Sequence, residues 1–235
     1  MSGAWIAVAA AVALTAVTIL ARTRVRTRRG RVAEAVIADP PTGASGRDSG
    51  GAVRSVQAAD IFLPAEALEA IWTPMHLERL ARTYWRFLTR VTLGLIRVQY
   101  TEQERFVVLL VRPLKLLTFS APEYEMDALR GFVRWRIARG LLVAKRGRGL
   151  GYLQIEVGRE PPQGSGTACL HVEVEVANFY PAIAFGLSRW LYDATQSHIH
   201  VLITHGFLRS LARLDLAESR VGRLAPPATP GVGEA

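Results

Sequence analysis

The chain has 235 residues, half of them apolar, which is room for one membrane segment plus one domain of ordinary size. Lys and Arg number 29 against 20 Asp and Glu, a net charge of +9, but six of those arginines fall between Arg22 and Arg31 in a stretch without an acidic residue. The basic excess is therefore local and gives little reason to expect nucleic acid, and a single cysteine, Cys169, excludes an intrachain disulfide.

Ala4 to Ala21 carries no charge and contains Trp5, Ile6, Leu14, Val17, Ile19 and Leu20. At about 1.5 Å per residue this run spans about 27 Å, close to the hydrocarbon thickness of a bilayer, and predicts a transmembrane helix over 4–21. The competing reading is a cleaved secretory signal, which needs positive charge ahead of its apolar core; Met1-Ser2-Gly3 supplies none. Charge follows instead, at Arg22, Arg24, Arg26, Arg28, Arg29 and Arg31. Arginines flanking a span bias that flank to the cytoplasm. The expectation is a single-pass protein of the cell membrane, N-terminus out, with its C-terminal domain cytoplasmic. The same arginines either hold anionic membrane lipids or only set topology.

Residues 22–54 read as an Arg-rich juxtamembrane segment and a flexible linker. Pro40-Pro41-Thr42-Gly43-Ala44-Ser45-Gly46 and Ser49-Gly50-Gly51 lack the apolar side chains a core needs. The proline-containing end, 217–235, reads as a disordered tail, which leaves 55–216 as the folded domain.

Within that domain, Ser55 to Phe62 predicts a strand closed by Pro64, which then suits the first turn of a helix through Trp72. Thr73-Pro74 repeats the signal for a second helix to about Thr89, with Leu77, Leu80, Ala81, Tyr84 and Leu88 at helical spacing. The period then becomes two. Short runs at Leu95 to Tyr100, Arg105 to Val111, Leu114 to Phe119, Phe132 to Val143, Gly151 to Val157 and Ala168 to Val176 predict strands. In the last of these, Leu170, Val172, Val174 and Val176 alternate with His171, Glu173 and Glu175. The gaps between the runs are too short for crossover helices, so antiparallel hairpins are expected. Pro181 opens a long helix to about Leu214. Trp190, Leu191, Ala194, Val201, Leu202 and Leu208 fall within about 60° of Leu187 on it, a stripe built to cover an apolar surface.

The order strand, two short helices, antiparallel strands and one long helix resembles the START-like superfamily, also called SRPBCC or polyketide cyclase-like. The segment Ile61-Phe62-Leu63-Pro64-Ala65-Glu66-Ala67-Leu68 is similar to that family's passage from first strand into first helix. The resemblance implies an α+β helix-grip domain, in which a curved antiparallel sheet wraps the long C-terminal helix and encloses an apolar cavity. Members of the family bind lipids and other hydrophobic small molecules, and some are cyclases or hydrolases.

On that footing the candidate ligand-binding residues are His198 and His205, which lie inside the apolar stripe of the last helix and would orient a polar end of the ligand. Trp190 and Leu202 share that stripe, and Tyr84 and Trp135 are in phase with apolar neighbours. A metal site on the histidines is disfavoured, because His198 and His205 are about 10.5 Å apart along a helix axis. Arg134, Arg136, Glu156, Glu173 and Glu175 alternate with apolar residues on successive strands. They read as cross-strand ion pairs facing water; a catalytic carboxylate pair is the sharper alternative. No cofactor is called for. The expected function is binding of a hydrophobic small molecule or lipid by a membrane-tethered domain. An enzyme of the cyclase or hydrolase kind, or a non-catalytic interaction module with a filled core, is the alternative.

Overall fold

The computed structural model describes residues 33–39, 43–94, 96–101, 103–109, 115–160, 166–182, 204–208 and 211. In chain order these form β1 (Glu34–Ala38), β2 (Gly46–Arg47), β3 (Val53–Pro64), α1 (Ala65–Ile71), α2 (Pro74–Val91), β4 (Ile96–Tyr100), β5 (Glu104–Leu109), β6 (Lys115–Ser120), β7 (Glu123–Met126), β8 (Arg130–Arg139), β9 (Gly151–Arg159) and β10 (Thr167–Phe179). The strands make one sheet in the order β1-β3-β10-β9-β8-β6-β5-β4, with β2 beside β3 and β7 beside β8. Every pairing is antiparallel.

The period-two pattern explains the sheet's two faces. Leu170, Val172 and Val174 of β10 are buried while His171 is exposed. Val172 pairs with Ala59 on one side and Val157 on the other, and Val157 pairs with Gly131, so one apolar row crosses four strands. Val133, Trp135 and Ile137 of β8 continue that face. α2 lies against it. Thr73 caps the helix in extended backbone, its hydroxyl accepting from the His76 N–H at 3.3 Å, and Pro74 occupies the first turn. Leu77, Leu80, Ala81, Tyr84 and Trp85 form the buried stripe. Helical residues 204–208, with Phe207 and Leu208 fully buried, and the helical residue Leu211 complete the core.

Three differences from the sequence reading stand out. Within the stretch read as a linker, Glu34–Ala38 forms a sheet-edge strand, with Val36 opposite Asp60 and Ile37 opposite Ala59. A short Val-Ile run is masked by the small and polar residues around it, and pairing with β3 supplies the hydrogen bonds that composition cannot foresee. Gly46–Arg47 adds β2, beside which the Ser45 hydroxyl accepts from the Val56 N–H at 2.9 Å. β7 is the third; its sequence, Glu-Tyr-Glu-Met, alternates over only four residues, too short a run to stand out. Conversely, the first helix spans Ala65–Ile71, with Pro64 as its cap rather than its first residue.

The predicted span 4–21, the six arginines, the tail and most of the predicted last helix lie outside the described residues. Among the described residues, no helix is long and apolar enough to cross a membrane. Of the long C-terminal helix, only 204–208 and 211 are described. One tight approach fixes the far end of β8: Gly140 has φ +148°, and a Cβ there would lie 2.2 Å from the Leu116 carbonyl oxygen.

Candidate ligand site

The interior between the sheet and α2 has two halves. In one, aromatic rings fill the space. Trp85 sits at the centre, its ring centroid 5.1 Å from Tyr84, 5.4 Å from Phe119 and 5.1 Å from Trp135, while Phe207 packs edge-on to Tyr84 at 5.2 Å. Edge-to-face contacts of this kind add stabilisation beyond burial. Trp135 and Phe207 are fully buried. Burial also pushes the Tyr84 hydroxyl well above its ordinary range, so it stays protonated.

In the other half the wall is α1 and the turn that follows it. This short helix buries only Leu68 and ends at Trp72, whose indole N–H donates to the Asp127 carbonyl at 2.9 Å. Behind it is a cavity of about 50 Å³. Leu68, Ile71 and Trp72 form one side, His76, Leu77 and Leu80 of α2 the roof, and Ile61, Val157, Leu170 and Val172 the sheet floor; Met126 and Leu211 close the ends. His76 is the one ionisable side chain among them. Its Nδ1 is 2.8 Å from the Thr73 hydroxyl, and burial, then the neighbouring Arg79, holds its pKa below the ordinary 6.5. A neutral imidazole in an apolar pocket can accept or donate one hydrogen bond to a guest. A volume of 50 Å³ exceeds the roughly 10–15 Å³ needed for a water but falls well short of the roughly 300 Å³ at which drug-sized sites begin. A volume of about 50 Å³ has room for a small apolar group or the end of a chain.

The six candidate ligand residues separate accordingly. Tyr84 and Trp135 belong to the filled aromatic half and do not line the pocket. His205 is half-buried in the 204–208 helical segment, also away from the pocket lining. His198, Trp190 and Leu202 lie outside the described residues. The pocket-lining residues that sequence reasoning passed over carried one signal: Leu68 and Ile71, and then His76 and Leu80, recur at helical spacing on either side of the Trp72-Thr73-Pro74 break.

On the opposite face of the sheet, the charged residues form a ladder with partners partly different from those expected. Arg130 pairs with Glu156 at 2.6 Å, Arg136 with Glu123 at 2.7 Å, and Arg54 with Glu175 at 2.6 Å. The Arg134 Nε–H donates to Gln154 at 2.7 Å, and the Tyr152 hydroxyl donates to Glu175 at 3.0 Å. Glu173 stands directly opposite Glu156, and burial, then Glu156 and Glu175, raises its pKa. Asp60 and His171 pair across β3 and β10 at 2.7 Å. Glu175, expected to face water, is buried at 6% exposure beneath Arg54 and Tyr152, whereas the more exposed pairs each contribute a few tenths of a kcal/mol. Among the described residues, no three of His, Cys, Asp and Glu gather as a metal site.

No known family profile matches the chain, and neither does any curated protein. Among solved structures, it is similar to an uncharacterised protein from Bacillus thuringiensis (16% identity, covering 69% of this chain and 99% of that one, TM-score 0.34). It is also similar to human STARD10 (8% identity, 81% and 76%, TM-score 0.31) and to human StAR-related lipid transfer protein 5 (10% identity, 87% and 98%, TM-score 0.31). The fold itself is described by its own strands: an antiparallel sheet with few helices, in which the predicted order of strand, two helices and antiparallel strands runs from β3 to β10.

Proposed function

We propose that this chain is a membrane-tethered binding protein for a hydrophobic small molecule or lipid, part of which enters the apolar pocket beneath α1 and α2. The observation that carries this reading is the pocket's composition, aliphatic and aromatic on every side with His76 as its one ionisable residue. Binding there would be driven by burial of apolar surface, at roughly 25 cal/mol per Å² before ordering costs. A guest larger than the present volume is accommodated by outward movement of α1, the wall held by a single fully buried side chain. The tether is the apolar run 4–21, which keeps the pocket close to membrane-derived ligands.

Native mass spectrometry of the full chain released from lipid membranes tests the proposal. An apolar adduct is expected, and Ile71→Trp, which fills the pocket, should remove it. A wild-type chain that stays empty across lipid mixtures overturns it. The filled aromatic half favours a second reading, an interaction module without a ligand; that reading gains if Ile71→Trp leaves every cellular phenotype of the chain intact.

A further inference from the structure

The sheet register brings the start of β1 and several pocket-lining residues to the same end of the sheet. Glu34, the first residue of β1, is opposite Phe62, and Phe62 is opposite Cys169 near the start of β10. Leu170 in turn faces Arg159 at the end of β9, and Gly158 faces Arg130 at the start of β8. At this end the Trp72 indole bonds to the β7–β8 turn, and Arg159 lies over the Trp72 ring at 4.7 Å while its Nε–H donates to the Ala128 carbonyl at 2.6 Å. The turn presents Leu129, 52% exposed; Met75, beside the pocket residue His76, is 48% exposed, and Phe62 is 40% exposed.

The distance back to the predicted span is short. Because β1 begins at Glu34, residues 22–33 are all that separate it from the end of 4–21. In any conformation, about twelve residues reach no more than about 43 Å.

From this placement we infer that the end of the sheet carrying Leu129, Met75, Trp72 and Phe62 docks on the lipid surface, which brings the pocket lined by Trp72 and His76 next to the bilayer. The inference rests on the tethered reading above and adds an orientation to it. Several charges at this end are paired within the domain: Arg159 with Glu69 at 2.7 Å and Arg130 with Glu156 at 2.6 Å, while Asp127 accepts from the backbone N–H groups of Leu129 and Arg130. Contact therefore comes from apolar side chains and the indole entering the interface, a mode that works on a zwitterionic bilayer. A guest leaving the membrane would pass Leu129 and Trp72 without crossing water.

The test uses the full chain with Cys169→Ser, carrying Leu129→Cys, Met75→Cys or, at the opposite end of the sheet, Leu150→Cys, each labelled with an environment-sensitive fluorophore. In phosphatidylcholine vesicles with brominated acyl chains, the Leu129 and Met75 labels should be quenched several-fold more than the Leu150 label. Equal quenching at the two ends overturns the docking. Alkaline carbonate extraction reads the anchor separately. A chain that resists extraction but shows no quenching at Leu129 loses the docking alone; one that is extracted yet keeps that quenching loses the span alone; failure of both removes both.

Discussion

The two halves of the interior share one sheet face and one helix, yet one is solid and the other holds a cavity. Around Trp85, two strands, β6 and β8, and α2 meet through large rings whose edges fit one another's faces. Around Ile71, the lining side chains are mostly branched aliphatics, and one wall is a single short helix. Packing density is thus set by which side chains meet at which separation, and not by how apolar the region is. The solid half holds the fold; the other half has a wall that can yield.

Substitutions can break or sharpen that contrast. The largest effect is expected from Trp135→Ala, which should cost about 3–5 kcal/mol in denaturant unfolding because the surrounding rings cannot collapse into the gap. Leu170→Ala, on the pocket floor, should cost about 2 kcal/mol, since its side chain already borders empty space and forfeits fewer contacts. If the two losses are equal, the halves do not differ as described.

Enlargement should act with opposite sign in the two places. Val133→Phe overpacks the strand that carries Trp135 and should destabilise by about 1–3 kcal/mol, whereas Ile71→Trp should be neutral or stabilising. A smaller effect distinguishes the halves by titration. His76 is held below the ordinary 6.5, so the unfolded chain binds its proton first. Stability should fall as pH drops from about 6.5 toward the depressed folded value, and His76→Gln should flatten that slope. On the reverse face of β10, Glu173 has the opposite sense. Its folded pKa is raised above the ordinary 4.5, so its contribution is lost as pH rises above that value. Glu173→Gln should stabilise the domain at neutral pH by up to about 1 kcal/mol, with no change in anything the pocket does.

The elements with strong periodicity were legible in the sequence. The alternation from Leu170 to Val176, the Thr73-Pro74 helix start and the hairpin spacing all correspond to observed elements. β1 and β7 were not, because each is short and draws its stability from the neighbouring strand: β3 for one, β8 for the other. For the site, phase showed that Tyr84 and Trp135 point inward. Phase carries no information about volume, and whether an inward ring lines a space or fills it depends on what arrives from the facing element. Here Trp85 and Phe207 arrive, and the open space falls instead beside Ile71 and His76.

The close approach at Gly140 reaches further than its position near the surface implies. The residues after it return to β6, Leu141 N–H donating to the Lys115 carbonyl and Leu142 N–H to that of Leu116, both at 3.1 Å. Leu142 then accepts from the Ala182 N–H at 2.9 Å. A single missing methyl group thus lets residues 141–142 lie against β6 and hold Ala182 just beyond β10. A saturation mutagenesis scan should find position 140 closed to every side chain, alanine included, while Leu141 beside it, 43% exposed, tolerates broad replacement.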